Sequence, residues 1–221
     1  TLYPLLKMLS TPEVSIVTIE DPIEYAVEQI EQIQVNVRAG LTFANGLRSI
    51  LRQDPNIIMV GEIRDAETAD IAVNTALTGH LLLSTLHTND AATTLPRLLD
   101  MGIDAYLVAS TINIAIGQRL VRRICTSCKE PVITTKSVEE TLSVVPLKNP
   151  VKQGDVFYRG AGCEACGGSG YQGRICVSEV LVADSTIREA IMRKASAAEL
   201  RKLAIEAGMT TMLEDGFAKE Y

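Results

Sequence analysis

Ile57-Ile58-Met59-Val60 is an apolar run with no polar alternation, the pattern of a strand covered on both faces. Two more short apolar runs flank it. Val14 to Ile19 is β-branched, and Leu81 to Thr85 is leucine-rich. Helical signals lie between them. Thr42 is placed to cap a helix running through Leu47, Ile50 and Leu51 to about Gln53, with Pro55 behind it. Asp65 is placed to cap a second, from Ala66 to about Leu77, with Gly79 as its stop. Strand, helix, strand, helix, strand predicts an α/β fold whose parallel sheet is joined by right-handed crossovers. Ile30 to Val37 alternates apolar and polar residues, as a hairpin or an edge element would.

In such sheets ligands bind beyond the carboxyl ends of the strands. All three runs end there in polar groups: Glu20, Asp21 and Glu24 after the first, Gly61-Glu62 after the second, His87 after the third. One acid at a strand end is an ordinary solvated turn residue. Polar ends on three strands of one edge point to a site. The two histidines of the chain, His80 and His87, bracket the third run. Arg48, Arg52 and Arg64 are candidate cations for stabilising developing charge, against the commoner role of surface arginines.

A helix is expected from Asp104 to about Gln118, after which the texture changes. Arg119, Arg122, Arg123 and Lys129 surround the pair Cys125/Cys128. Residues 136–160 are polar and irregular, and a glycine-rich stretch holds the pair Cys163/Cys166. Two C-x-x-C pairs suit tetrahedral zinc, since the spacing lets both thiolates of a pair face one ion. Cys125, Cys128, Cys163 and Cys166 fill all four positions, so the expected Zn²⁺ is structural and not catalytic. Redox-active cysteines are the alternative. Cys176 is left over and reads as a small buried strand residue. Helical patterning returns towards the C-terminus, where Ser196 and Glu199 are spaced as a capping box. Cysteine usage fits a reducing compartment. The net charge of −6 argues against broad attraction to nucleic acid. No stretch reaches the roughly 20 apolar residues of a membrane span.

Three segments carry a family resemblance. Ile19-Glu20-Asp21-Pro22-Ile23-Glu24-Tyr25 resembles the acidic Asp box of bacterial type II secretion and type IV pilus ATPases. Leu51 to Pro55, followed by Ile57 to Asp65, resembles their atypical Walker B element, and Thr78 to Thr88 their His box. The resemblance runs from Thr1 to Tyr221. It implies a RecA-like core over 1–118, a tetracysteine zinc subdomain over 119–178 and a helical C-terminal segment over 179–221. The cysteine quartet resembles the export and pilus-assembly branch.

By the same resemblance the parent is a hexameric motor that binds ATP and Mg²⁺. Its hydrolysis drives secretion or pilus assembly through an inner-membrane platform and cytoplasmic assembly proteins, from a cytoplasmic position peripheral to that membrane. Glu62 is expected to contact Mg²⁺ or take part in catalysis. Gly61 stands where the usual Walker B aspartate would be. Glu24 is the first choice for positioning or deprotonating the attacking water, with Glu20 and Asp21 as alternatives. His87 is expected near the γ-phosphate, with His80 bracing it. No G-x-x-x-x-G-K-[ST] occurs in the chain. The chain is therefore expected to be a C-terminal piece starting just after that loop, with little or no hydrolysis on its own. A rival reading is a non-catalytic, zinc-stabilised module docking a membrane platform protein. A DNA motor is disfavoured by the acidic balance.

Overall fold

The computed structural model describes residues 2–219, which form two compact units. The first comprises 2–88, 94–112 and 191–194. It opens with helix α1 (Leu2–Leu9) and strand β1 (Ile16–Glu20). Strand β2 (Glu31–Gln34), helix α2 (Phe43–Ile50) and strand β3 (Ile57–Val60) follow. Helix α3 (Ala66–Leu77) leads into strand β4 (Leu81–Ser84), and then come helix α4 (Ala91–Asp100), whose residues 91–93 are assigned to the second unit, and α5 (Ala105–Thr111). The sheet has the order β2-β1-β3-β4 with every neighbouring pair parallel.

Burial follows the sequence pattern where the strands are central. Every residue of β1 and β3 is buried. Leu6 of α1 packs with Ile16, Ile57 and Met59, and Tyr3, Ile30 and Leu83 close over them. The caps are as expected. Thr42 Oγ1 accepts the Asn45 amide at 3.2 Å, and Asp65 Oδ1 accepts that of Thr68 at 2.8 Å. The alternating segment resolves into β2, a parallel edge strand and not a hairpin arm. The third apolar run, read as a buried strand, is instead β4 at the other end of the sheet, with Leu81 44 % exposed.

The second unit comprises 89–93, 113–190 and the described residues from 195 onward. It holds strands β5 (Ile114–Ile124) and β6 (Lys129–Ile133), helix α6 (Lys136–Leu142) and strands β7 (Val156–Gly160) and β8 (Tyr171–Val182). Helices α7 (Ser185–Met192), α8 (Ala197–Glu206) and α9 (Met212–Ala218) follow. β5 pairs antiparallel with β8, and β6 with β7. The long helix expected up to Gln118 is corrected: it ends at Thr111, and β5 begins at Ile114. The chain turns extended at Ile112, with φ −75° and ψ 122°, and Gly117 lies within the strand. It lies opposite Glu179, and a Cβ there would come within 2.9 Å of the Ala91 amide nitrogen and 3.0 Å of Glu179 Oε1. Residues 136–160, expected to be irregular, contain α6 and β7. Ser196 accepts the Glu199 amide at 3.3 Å as a simple cap, whereas a reciprocal capping box forms between Thr211 and Glu214. No helix among the described residues is long and apolar enough to cross a membrane.

Candidate functional site

The carboxyl edge of the sheet is in the first unit. β3 ends at Val60, and the Gly61 amide donates to Ile19 O of β1 at 2.8 Å. A Cβ on Gly61 would lie 3.2 Å from Ile19 O and 3.3 Å from Glu20 Cα. A side chain at this position would press on the neighbouring strand, so the acid falls one residue later. Thr85 Oγ1 donates to Gly61 O at 2.7 Å, and the Ile63 amide donates to Thr85 O at 2.9 Å. The chain segments after β3 and β4 are thereby tied together.

Glu62 projects from this bridge. Its Oε1 meets Arg64 Nη2 at 2.5 Å, and its Oε2 meets His87 Nε2 at 2.8 Å. The Glu62 side chain is 12 % exposed, against 61 % for Arg64 and 79 % for His87. The Arg64 hydrogen bond, backed by that of His87 and opposed by burial, holds the Glu62 carboxyl below its ordinary range. Glu62 in turn raises Arg64, with Asp21 adding to the field. The fold thus gathers Glu62, Arg64 and His87, brings Gly61 against Glu20, and keeps Asp21 within electrostatic reach of Arg64.

Glu20 terminates β1 and is buried. Its Oε1 accepts Thr18 Oγ1 at 2.5 Å and Gln32 Nε2 at 3.0 Å, and its Oε2 accepts the Tyr3 hydroxyl. Glu24 is exposed on the following loop, its amide 3.2 Å from the same Tyr3 oxygen. Tyr3, Thr18 and Gln32 escaped the sequence reading. The alternation in β2 placed Gln32 on a strand, but nothing marked its face as turned towards Glu20.

The other candidates lie elsewhere. His80 precedes β4, at the opposite edge of the parallel sheet from His87. Its Nδ1 sits 3.2 Å from Thr78 Oγ1 and 3.3 Å from Thr75 O. β4 separates His80 from His87 along the chain. Arg48 pairs with Glu67 of α3 at 2.8 Å, and Arg52 is exposed on the turn after α2.

In the second unit Cys125, Cys128, Cys163 and Cys166 form one cluster, with all four sulfurs within 4.8 Å of one another. The Cys125–Cys163 and Cys128–Cys166 pairs are each 3.9 Å apart, and Cys163–Cys166 is 3.8 Å. A zinc–sulfur bond of about 2.3 Å puts tetrahedral ligands about 3.8 Å apart, so the donor set fits Zn²⁺. The Gly162 amide donates to Cys128 Sγ at 3.3 Å, and those of Cys163 and Gly170 to Cys166 Sγ at 3.2 Å. Such N–H···S bonds support thiolate ligands. The Cys163 amide, with that of Gly170 and against burial, draws the Cys166 thiol down to about 6. Burial pushes Cys128 up to about 12. Gly160 and Gly170 approach closely at the base of the Cys163/Cys166 loop, where a Cβ on Gly160 would lie 1.9 Å from Gly170 O. The two ligand loops are tied by the Cys125 amide to Gly170 O at 3.0 Å and the Ala161 amide to Cys128 O at 2.9 Å.

The family described as type II/IV secretion system protein matches residues 1–220. The chain belongs to that family. The type IV pilus assembly ATPase PilB of Thermus thermophilus is 50 % identical over 219 residues, which are 99 % of this chain and 24 % of that protein. The type II secretion system protein E of Xanthomonas campestris pv. campestris is 48 % identical over 219 residues, 99 % of this chain and 38 % of the relative. Among solved structures, the pilus retraction motor PilT with bound ADP is similar at a TM-score of 0.67 and 26 % identity. The similarity covers 97 % of this chain and 51 % of PilT. This member of the type II/IV secretion system family therefore spans 24–38 % of the length of these two curated relatives.

Proposed function

We propose that this chain is the C-terminal, zinc-bearing part of a hexameric ATPase that powers type II protein secretion or type IV pilus assembly. The observation that carries the reading is Glu62, clamped between Arg64 and His87 at the carboxyl edge of a parallel sheet. The relatives named as ATPases supply the reaction class.

In phosphoryl transfer the protein positions the reactants and balances charge. Mg²⁺, when bound with ATP, would neutralise phosphate charge, with Glu62 as the residue meeting it directly or through water. Arg64 and His87 keep Glu62 ionised and aimed while no nucleotide competes for them. His87, bonded to Glu62 at 2.8 Å, would follow the γ-phosphate in this reading. Glu24 orients or deprotonates water, and Asp21 shares the field of Arg64. The four cysteines hold zinc as a structural ion. The residues contain no phosphate-loop motif, so hydrolysis by these 221 residues alone is expected to be slight. Ring neighbours and an inner-membrane platform complete the assembly, placing the protein peripherally on the cytoplasmic side.

The test is Glu62→Gln in the native full-length polypeptide. Turnover is expected to fall by about 10³-fold or more, with nucleotide affinity within a few-fold of wild type. Wild-type turnover in this variant overturns the assignment.

A further inference from the structure

We infer that Tyr3 and Gln32 are positioning residues that latch the loop carrying Glu24 onto the buried Glu20, and that Glu20 is the anchor of this latch and not a proton acceptor in the reaction. The inference rests on the reading above that Glu24 serves the attacking water.

Glu20 is 3 % exposed, and a carboxylate that deep is tolerated only when its oxygens are matched by donors. They are matched by Thr18 from its own strand, Gln32 from β2 and Tyr3 from α1. A base for water needs an open lone pair within reach of the substrate, and this buried carboxylate already has both oxygens engaged, Oε1 by two donors and Oε2 by one, from three elements. Glu24 is on the surface and keeps its carboxylate for other work.

The anchor's partners also hold the loop. The Tyr3 hydroxyl donates to Glu20, and its oxygen accepts the Glu24 amide at 3.2 Å. Gln32 Nε2 donates to both Glu20 Oε1 and Tyr25 O, at 3.0 and 2.9 Å, while its Oε1 accepts the Val27 amide at 2.7 Å. Tyr25 sets its ring edge-on to Tyr3, with centroids 5.5 Å apart and planes at 87°. Three backbone groups of the loop, at residues 24, 25 and 27, are thus fixed by two side chains whose common point is one buried acid. Burial and the bond to Glu20 raise the Tyr3 phenol, so it remains a donor at neutral pH. Positioning of this kind acts on rate, because small displacements of a catalytic group are costly.

The experiment compares Tyr3→Phe, Glu20→Gln, Gln32→Leu and Glu24→Gln in the native full-length polypeptide, reading ATPase kinetics and amide hydrogen exchange of residues 22–27. Tyr3→Phe and Gln32→Leu are each expected to lower kcat about 10-fold, to leave KM for ATP within about 2-fold, and to speed exchange of the loop. The double variant should be far less than multiplicatively worse, since both act through the same anchor. Glu20→Gln keeps the shape and an acceptor oxygen, and is expected to lose about 10-fold and not the 10³-fold of a lost base. Turnover and loop exchange both at wild-type level in Tyr3→Phe overturn the latch. So does a loss of kcat with loop exchange unchanged, which would make the phenol a direct participant. A 10³-fold loss in Glu20→Gln, with loop exchange unchanged, reinstates Glu20 as the base and overturns its role as anchor. Wild-type turnover in Glu24→Gln overturns the function assigned to Glu24; accelerated exchange in Tyr3→Phe then still supports the latch itself.

Discussion

At the scale of single residues, the site turns on which acids are free. The residues alone mark Glu20, Asp21, Glu24 and Glu62 as acids at strand ends; the preference for Glu24 over Glu20 and Asp21 came from the family resemblance, because the partners of each acid lie in distant segments. Glu20 is buried and meets three side-chain donors, whereas Arg64 and His87 hold the Glu62 carboxyl below its ordinary range. Glu62 was legible from its position after an uninterrupted apolar strand. Tyr3, seventeen residues from its partner, was not. The pH behaviour of Glu62 follows from the clamp. Its folded-state pKa lies below the ordinary 4.5, so its contribution to stability is complete above that value and is lost as pH falls through the folded pKa. Arg64 is the largest cause of the depression. In Arg64→Gln the Glu62 midpoint is expected to move up, and acid destabilisation to begin at higher pH. A carbon-13 titration of the Glu62 carboxyl between about pH 2 and pH 6 measures the shift. An unchanged midpoint would show that the arginine does not set it.

At the scale of elements, the sequence reads well wherever a cap or a central strand is involved, because those signals are local. Thr42 and Asp65 cap the helices they were assigned. β5 is the failure. Its inward residues include Ala115 and Gly117, too small to register as a buried face, while its large residues Ile114, Ile116 and Leu120 are exposed. The inner face is cut to fit a carboxylate. Glu179 of β8 is 5 % exposed. It accepts the Ala91 amide at the start of α4 at 2.8 Å and the Met212 amide at the start of α9 at 3.2 Å. One acid thereby serves two helix N-termini, where negative charge is favoured. Nearby, Arg119 Nη2 donates to Asn89 O and Oδ1 at 3.2 and 3.1 Å, and Arg201 pairs with Asp90. The segment between His87 and α4 is therefore held by side chains distant in sequence. Glu179→Ala leaves two amides without their acceptor and opens a void. The expected cost is about 3 kcal/mol, read in denaturant unfolding. The melting temperature should fall by about 6–12 °C. A loss within about 0.5 kcal/mol would mean that water replaces the carboxylate without penalty.

At the scale of the whole molecule, the sheet of the first unit and the β6–β7 segment of the second differ in how much apolar surface they bury. The first has a covered sheet, with β1 and β3 wholly buried, and its stability comes from apolar surface removed from water. In the second, β6 and β7 are largely exposed, and Val144 and Ile133 are 82 % and 66 % exposed. This hairpin and the loops bearing the thiols lack a dense apolar core of their own. A metal joining the four clustered cysteines from both ends of residues 125–166 would supply what that segment does not obtain by burial, since closed zinc sites in small peptides are worth on the order of 10–16 kcal/mol. The cysteine spacing disclosed the clustering of the four thiols, whereas the strand pairing of 129–160 was hidden because its sequence is polar and its partners lie far along the chain. One zinc per chain is expected by elemental analysis. Removing it with a strong chelator should release the amides of β6 and β7 to fast hydrogen exchange while those of β1 and β3 stay protected. Cys163→Ser should give the same pattern without chelator, since a hydroxyl is a poor substitute for a thiolate on zinc. If the metal-free protein instead keeps β6 and β7 protected, hydrogen bonding alone orders that segment and the thiols need another explanation. Uniform loss of protection in both units would mean that the sheet, too, draws its stability from the metal.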